Sequence, residues 1–136
     1  MLAIVAGRFR FTARLEEEAA PSTIEALRGL LPLESQLVQA RWSGESAWVP
    51  LGWDLALALA PENANSYPAA GELLLYPGPL SEVEILFPYG ATCFASKMGQ
   101  LAGNHFATIE EGREQLPELG RLVLWEGAQR IRFEEV

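Results

Sequence analysis

Apolar and polar residues alternate with a period of two through most of this chain. In AIVAGRFRFTARL (3–15), Arg8, Phe9, Arg10 and Phe11 place both aromatics on one face, as a half-buried strand requires. QLVQARWSGESAWVPL (36–51) reads as two strands around Ser43-Gly44-Glu45, with Val38, Ala40 and Trp42 on one face. GELLLYPG (71–78) and EVEILFPYG (82–90) follow as strands separated by Pro77-Gly78-Pro79. ATCFASK (91–97) predicts a short strand, and MGQLAGN (98–104) a glycine-rich connection into FATI (106–109). RLVLWEG (121–127) and QRIRFEE (129–135) are the last two predicted strands.

The period shifts to that of a helix twice. In APSTIEALRGLLP (20–32), Ser22 and Glu25 have capping-box spacing, and Ile24, Leu27, Leu30 and Leu31 share a helical face. IEEGREQLPELG (109–120) predicts a second short helix, with acidic residues in its first turn and Gly120 near its end. WDLALALAP (53–61) is ambiguous: Trp53, Leu55, Leu57 and Leu59 alternate like a strand, yet Leu and Ala favour helices. ENANSYPAAG (62–71) has the turn chemistry of a long loop. About eight strands and two helices without βαβ alternation predict a mainly β chain, an antiparallel or mixed barrel.

Composition narrows the function classes. A length of 136 residues with no internal shift in composition predicts one domain, 1–136, burying roughly two-thirds of its extended surface. Eighteen acidic residues against ten basic ones, the latter scattered, leave no basic stripe. Nucleic acid and anionic membrane are therefore poor partners. The apolar N-terminus breaks at Arg8, too early for a signal segment or a membrane span. Cys93 is the only cysteine, which fits a reducing compartment, and cytoplasm is the expected location.

Candidate chemistry is sparse. The one histidine, His105, and the one aspartate, Asp54, give no recognisable triad, and there is no G-x-S-x-G elbow. One His and one Cys cannot close a zinc site, and no motif asks for a cofactor. Gly99 and Gly103 lack phosphate-loop spacing and read as residues of a tight backbone crossing. Arg41-Trp42-Ser43-Gly44-Glu45 sets a guanidinium fork beside an indole. Arg41 could hold a ligand carboxylate with Trp42 or Trp48 as a flat wall, or it could simply pair with Glu45. Glu84 lies on an apolar strand, and alternation assigns it, with Glu82, to a solvent face; the competing reading is a desolvated acid with a raised pKa.

The ordered pieces PSTIEAL (21–27), RWSGE (41–45), YPAAGELLLYP (67–77), EILFPYG (84–90), SKMGQLAGNHFATI (96–109) and LWEGAQ (124–129) resemble a bacterial family of small cyclophilin-like proteins of unknown function. The resemblance implies a closed β-barrel with helices at its ends. The Phe-His-Arg and Gln-Gly-Gly segments of the prolyl isomerases are absent, so no isomerase residue is carried over. The wider group is similar to the barrel portion of cucumopine synthase, which joins an amino acid to a 2-oxo acid.

The leading expectation is a barrel-mouth pocket for a small polar or anionic metabolite. It would be lined by Arg41, Trp42, Glu62, Asn63, Tyr67, Tyr89, Phe94, Asn104 and His105. As an enzyme, it would use His105 or Glu62 as general base and Arg41 to fix a carboxylate. In GQLAGNHFATI (99–109), Gly103 and Asn104 shape the corner and offer an amide, and His105 follows them on the pocket wall. The rival expectation is a peptide- or protein-binding module or homo-oligomer, with the surplus aromatics covering an interface.

Overall fold

A computed structural model describes residues 1–136. In chain order its elements are β1 (Leu2–Ala6), β2 (Phe9–Leu15), α1 (Pro21–Arg28), β3 (Leu33–Gln39), β4 (Gly44–Gly52), β5 (Ala64–Asn65), β6 (Glu72–Tyr76), β7 (Val83–Thr92), β8 (Ala95–Ser96), β9 (Gly99–Gln100), β10 (Gly103–Glu111), α2 (Leu116–Glu126) and β11 (Gln129–Glu135). The eight longer strands run in the order β2-β1-β11-β3-β4-β7-β6-β10, and β10 pairs back onto β2. Every pairing is antiparallel, and the β10–β2 pairing closes the sheet on itself. The closed antiparallel barrel expected from the strand pattern is present.

Alternation fills the interior. On β2, Phe9, Phe11, Ala13 and Leu15 are buried while Arg10 and Arg14 face out. Phe11 meets Phe87 edge to face at 5.9 Å, and Phe106 and Phe133 are fully buried in the same cluster. Ile24 and Leu27 of α1, and Leu116, Leu119, Leu122 and Val123 of α2, join that core. Side chains therefore occupy the barrel, and both helices pack into that same core.

A second, smaller core lies on the outer wall. Register pairs Leu74 with Leu86, Trp48 with Leu86, and both Tyr76 and Pro50 with Glu84. These positions alternate with the inward Leu73, Leu75, Ile85 and Phe87. The segment carrying β8 and β9 covers them, so Leu74, Tyr76, Leu86, Phe94 and Leu101 are buried together against Trp48. Strands β6 and β7 are thus buried on both faces, which explains their near-continuous apolar runs.

Several local expectations are corrected. RLVLWEG is the second half of α2 rather than a strand, and residues 109–111 continue β10 rather than opening a helix. Pro117 suits the first turn, and Leu116, Leu119, Leu122 and Val123 repeat at helical spacing. Gly120 is mid-helix, where any Cβ would collide with the Tyr89 ring. The Ser22–Glu25 capping box does not form, because α1 already begins at Pro21 and no side chain caps it from Ala20. Residues 53–61 form neither helix nor paired strand; Leu57 and Leu59 rest on the main core from an irregular segment with Ala58 at φ 51°.

Candidate functional site

On the outer wall, beside the second core, Trp42, Trp48, Trp53, Ser81, Glu82, Glu84, Ser96 and Lys97 line a cavity of about 350 Å³. Trp48 and Glu84 come from the paired strands β4 and β7, so hydrogen-bonded backbone fixes both. Trp42 sits on the tight turn between β3 and β4, and its ring meets Trp48 edge to face at 6.0 Å. Trp42 and Trp53 remain 55% and 65% exposed, as rim residues do.

Glu84 is the unusual group. It is only 4% exposed, and its carboxyl enters no ion pair. Burial, and secondarily the charge of Glu82, push its pKa up from 4.5 to about 8. The solvent-face expectation for Glu84 is therefore overturned. Alternation placed it correctly opposite Val83 and Ile85, but that outer face is covered here. Glu82 accepts the Gly52 amide at 3.1 Å, while Lys97 enters no ion pair. The indole Nε1 of Trp48 is buried without a partner.

This arrangement combines flat apolar walls with a carboxyl that stays largely neutral at pH 7. Such a carboxyl can donate or accept a hydrogen bond, or take up and release a proton near neutrality. The indole faces also suit a cation.

The nine expected site residues fall into separate places. Trp42 lines the aromatic cavity. Arg41 and Tyr89 share a different hollow beneath α2. Glu62, Asn63, Asn104 and His105 come together, but as a hydrogen-bonded knot. The Glu62 carboxylate accepts the Thr23 amide at 2.9 Å, the Thr23 hydroxyl at 2.8 Å and the Ser22 amide at 3.4 Å, capping α1 from a distant loop. Those bonds, the Thr23 amide first, hold its pKa below the ordinary value. Asn104, 2% exposed, accepts the Glu62 amide at 3.0 Å and donates to Thr23 Oγ1 and Ala60 O, each at 3.1 Å.

Asn63, at φ 51°, donates through Nδ2 to His105 O, and the His105 amide donates back to Asn63 O. His105 Nε2 is hydrogen-bonded to Thr108 Oγ1 at 2.8 Å. Phe94 is buried against Tyr76, and Gly103 gives the close crossing expected of it, where a Cβ would lie 2.9 Å from Leu74 Cβ. Tyr67 is exposed, with its hydroxyl on Gln100 and its pKa raised by hydrogen bonding to Cys93. Arg41 and Glu45 form no ion pair; the Glu45 carboxylate accepts the Ala91 amide instead. Trp53, Ser81, Ser96 and Lys97 carry no sequence motif that would mark them, and Ser96 and Lys97 reach the cavity only because the β8–β9 segment folds over the outer wall.

No three His, Cys, Asp or Glu side chains gather as a metal site would require. No helix is long and apolar enough to cross a membrane.

Fold and site define a closed eight-stranded antiparallel barrel with an aromatic, carboxyl-bearing cavity on its outer wall. The chain belongs to the family described as Protein of unknown function (DUF3830), whose model matches residues 2–135. No curated protein matches it in sequence. Among solved structures, it is similar to McbB in complex with tryptophan, at 20% identity and a TM-score of 0.74. That match covers 99% of this chain but 44% of McbB, so the chain spans less than half of that protein. It is also similar to the hypothetical protein AF2241 from Archaeoglobus fulgidus, at 17% identity and a TM-score of 0.66, over 99% of this chain and 93% of the other. These likenesses concern the fold.

Proposed function

We propose that the outer-wall cavity binds a small organic molecule with a flat apolar body and a basic nitrogen, and that Glu84 meets that nitrogen. The observation that carries this reading is the Glu84 carboxyl, buried and unpaired on the wall of a cavity of about 350 Å³ with three indoles. That volume is in the range of small-ligand pockets. Lys97 offsets Glu82 on the lining, and the neutral Glu84 carboxyl gains a charged partner only from a cation, which favours an amine here over the anionic metabolite that Arg41 alone suggested. An arriving ammonium stabilises the charged form of Glu84, so binding below about pH 8 releases a proton.

The test is calorimetric titration with phenethylamine and with phenylacetate, which share a flat body and differ in charge. Two buffers of different ionisation enthalpy report the proton. The expected result is saturable binding of the amine with proton release, at least about tenfold weaker binding of the acid, and a similar loss in Glu84→Gln. An amine that does not bind, or binds Glu84→Gln equally well, overturns the reading.

A second reading is an enzyme that condenses an amine-bearing compound with a 2-oxo acid. The same carboxyl, able to accept a proton near neutrality, favours it, and the barrel-sharing McbB was solved with tryptophan, an amine-bearing molecule. Consumption of a 2-oxo acid in the presence of an amine, lost in Glu84→Gln, separates catalysis from binding. A peptide-binding or oligomeric role would use the exposed rim of Trp42, Trp53, Leu80 and Met98, and light scattering across concentration tests for self-association.

A further inference from the structure

Nine arginines serve this acidic chain, and most are satisfied. Arg14, Arg28, Arg130 and Arg132 pair with carboxylates. Arg8 stacks on Phe9 at 4.7 Å, and Arg113 donates to the carbonyls of Ile109 and Ala70. Arg10, Arg41 and Arg121 have no such partner. Two of these three, Arg41 and Arg121, line one hollow of about 290 Å³ between α2, β7 and the turn before β4.

That hollow is shaped by close approaches. At Gly120, a Cβ would collide with the Tyr89 ring, and at Gly90 with the Glu45 side chain. The Tyr89 hydroxyl is held by Gln39 Oε1 at 3.0 Å, which fixes the ring beneath α2. Glu45 is the one carboxylate on the lining, and its Oε1 is already engaged by the Ala91 amide at 2.9 Å. Arg121 also borders Glu118 and Glu126 on its other side, yet pairs with neither.

We propose that this hollow is a binding site for a small oxyanion, a carboxylate or phosphate group gripped between the guanidinium groups of Arg41 and Arg121. Two arginines without ion-pair partners on the lining of one concavity concentrate positive potential in an otherwise acidic protein. Each fork presents paired N–H donors matched to the oxygens of a carboxylate or phosphate. The site is distinct from the amine cavity. The two are built from adjacent residues, Arg41 and Trp42, which turn to opposite hollows.

The test is an NMR titration of the full chain with succinate and, separately, with inorganic phosphate, ionic strength being matched with sodium chloride. Saturable shifts of arginine side-chain resonances are expected with at least one anion, and the one that saturates identifies the group. Arg41→Gln or Arg121→Gln weakens binding about tenfold or more. Arg10→Gln and Glu84→Gln leave it unchanged, the latter separating this site from the amine reading. Failure of both anions to saturate, or equal weakening by Arg10→Gln, overturns the proposal in favour of diffuse screening.

Discussion

Replacing Glu84 with Gln should flatten the pH dependence of stability and make the protein more stable in alkali. The folded carboxyl has its pKa pushed up from 4.5 to about 8, chiefly by burial. At about 1.4 kcal/mol per unit, the full cost of the charge is on the order of 5 kcal/mol, an upper figure because local relaxation reduces it. Below pH 4.5 both folded and unfolded carboxyls are neutral, so nothing is lost. As pH rises, the unfolded chain gives up this proton first and stability falls, until the folded group also ionises near pH 8. Above that the penalty is constant. Glutamine keeps the shape without the ionisation. Urea unfolding of both proteins should therefore give nearly equal midpoints near about pH 4, with the variant ahead by about 2–5 kcal/mol near about pH 9. At a urea slope of about 1–3 kcal/mol per molar, that is a midpoint difference of about 1 M or more. Parallel midpoints across this range would refute the burial argument.

Other substitutions test the supports of the fold. Gly120→Ala would stabilise α2 by about 1 kcal/mol on propensity alone, yet the collision with Tyr89 should destabilise the protein by about 1–3 kcal/mol, so the sign of the thermal shift decides. Glu62→Gln should lower the melting temperature by weakening the cap on α1. Because the Glu62 pKa is lowered, its contribution is present above the ordinary carboxylate range and is lost as pH falls through the folded value, so the gap between variant and wild type closes in acid. Asn104→Ala should cost about 2–4 kcal/mol and accelerate hydrogen exchange at the Glu62 amide, which would lose its acceptor.

The barrel was legible because a wall with one face in the core must alternate, and β2 and β11 do so without exception in their buried positions. What could not be read locally was decided by tertiary contacts. Leu122, Val123, Leu124 and Trp125 look like a strand until Gly120 admits the Tyr89 ring and docks the segment as a helix. The cap of α1 comes from Glu62, thirty-nine residues beyond Thr23, whereas the local Ser22–Glu25 spacing goes unused. Of the nine expected site residues, Arg41 and Tyr89 line one hollow, whereas Glu62, Asn63, Asn104 and His105 are tied together by hydrogen bonds elsewhere. The pattern had no means of separating a hydrogen-bonded knot from a pocket wall.

Glu84 shows why the outer wall, and not the filled barrel, is the place for chemistry. A carboxyl keeps so high a pKa only where rigid surroundings limit its hydration. Glu84 lies between β4 and β6, opposite Pro50 and Tyr76, in a ladder that closure makes continuous, and the Phe94 and Leu101 segment covers the neighbouring surface. A hydrophobic residue at this position would pack without that penalty, as Leu86 does two residues later on the same face. The carboxyl destabilises the empty protein and offers its oxygens only to the cavity. Costs of that kind are characteristic of functional sites, where a ligand supplies the missing partner. A molecule that brings a hydrogen-bond donor with positive charge relieves it most, whereas an anion would add to it.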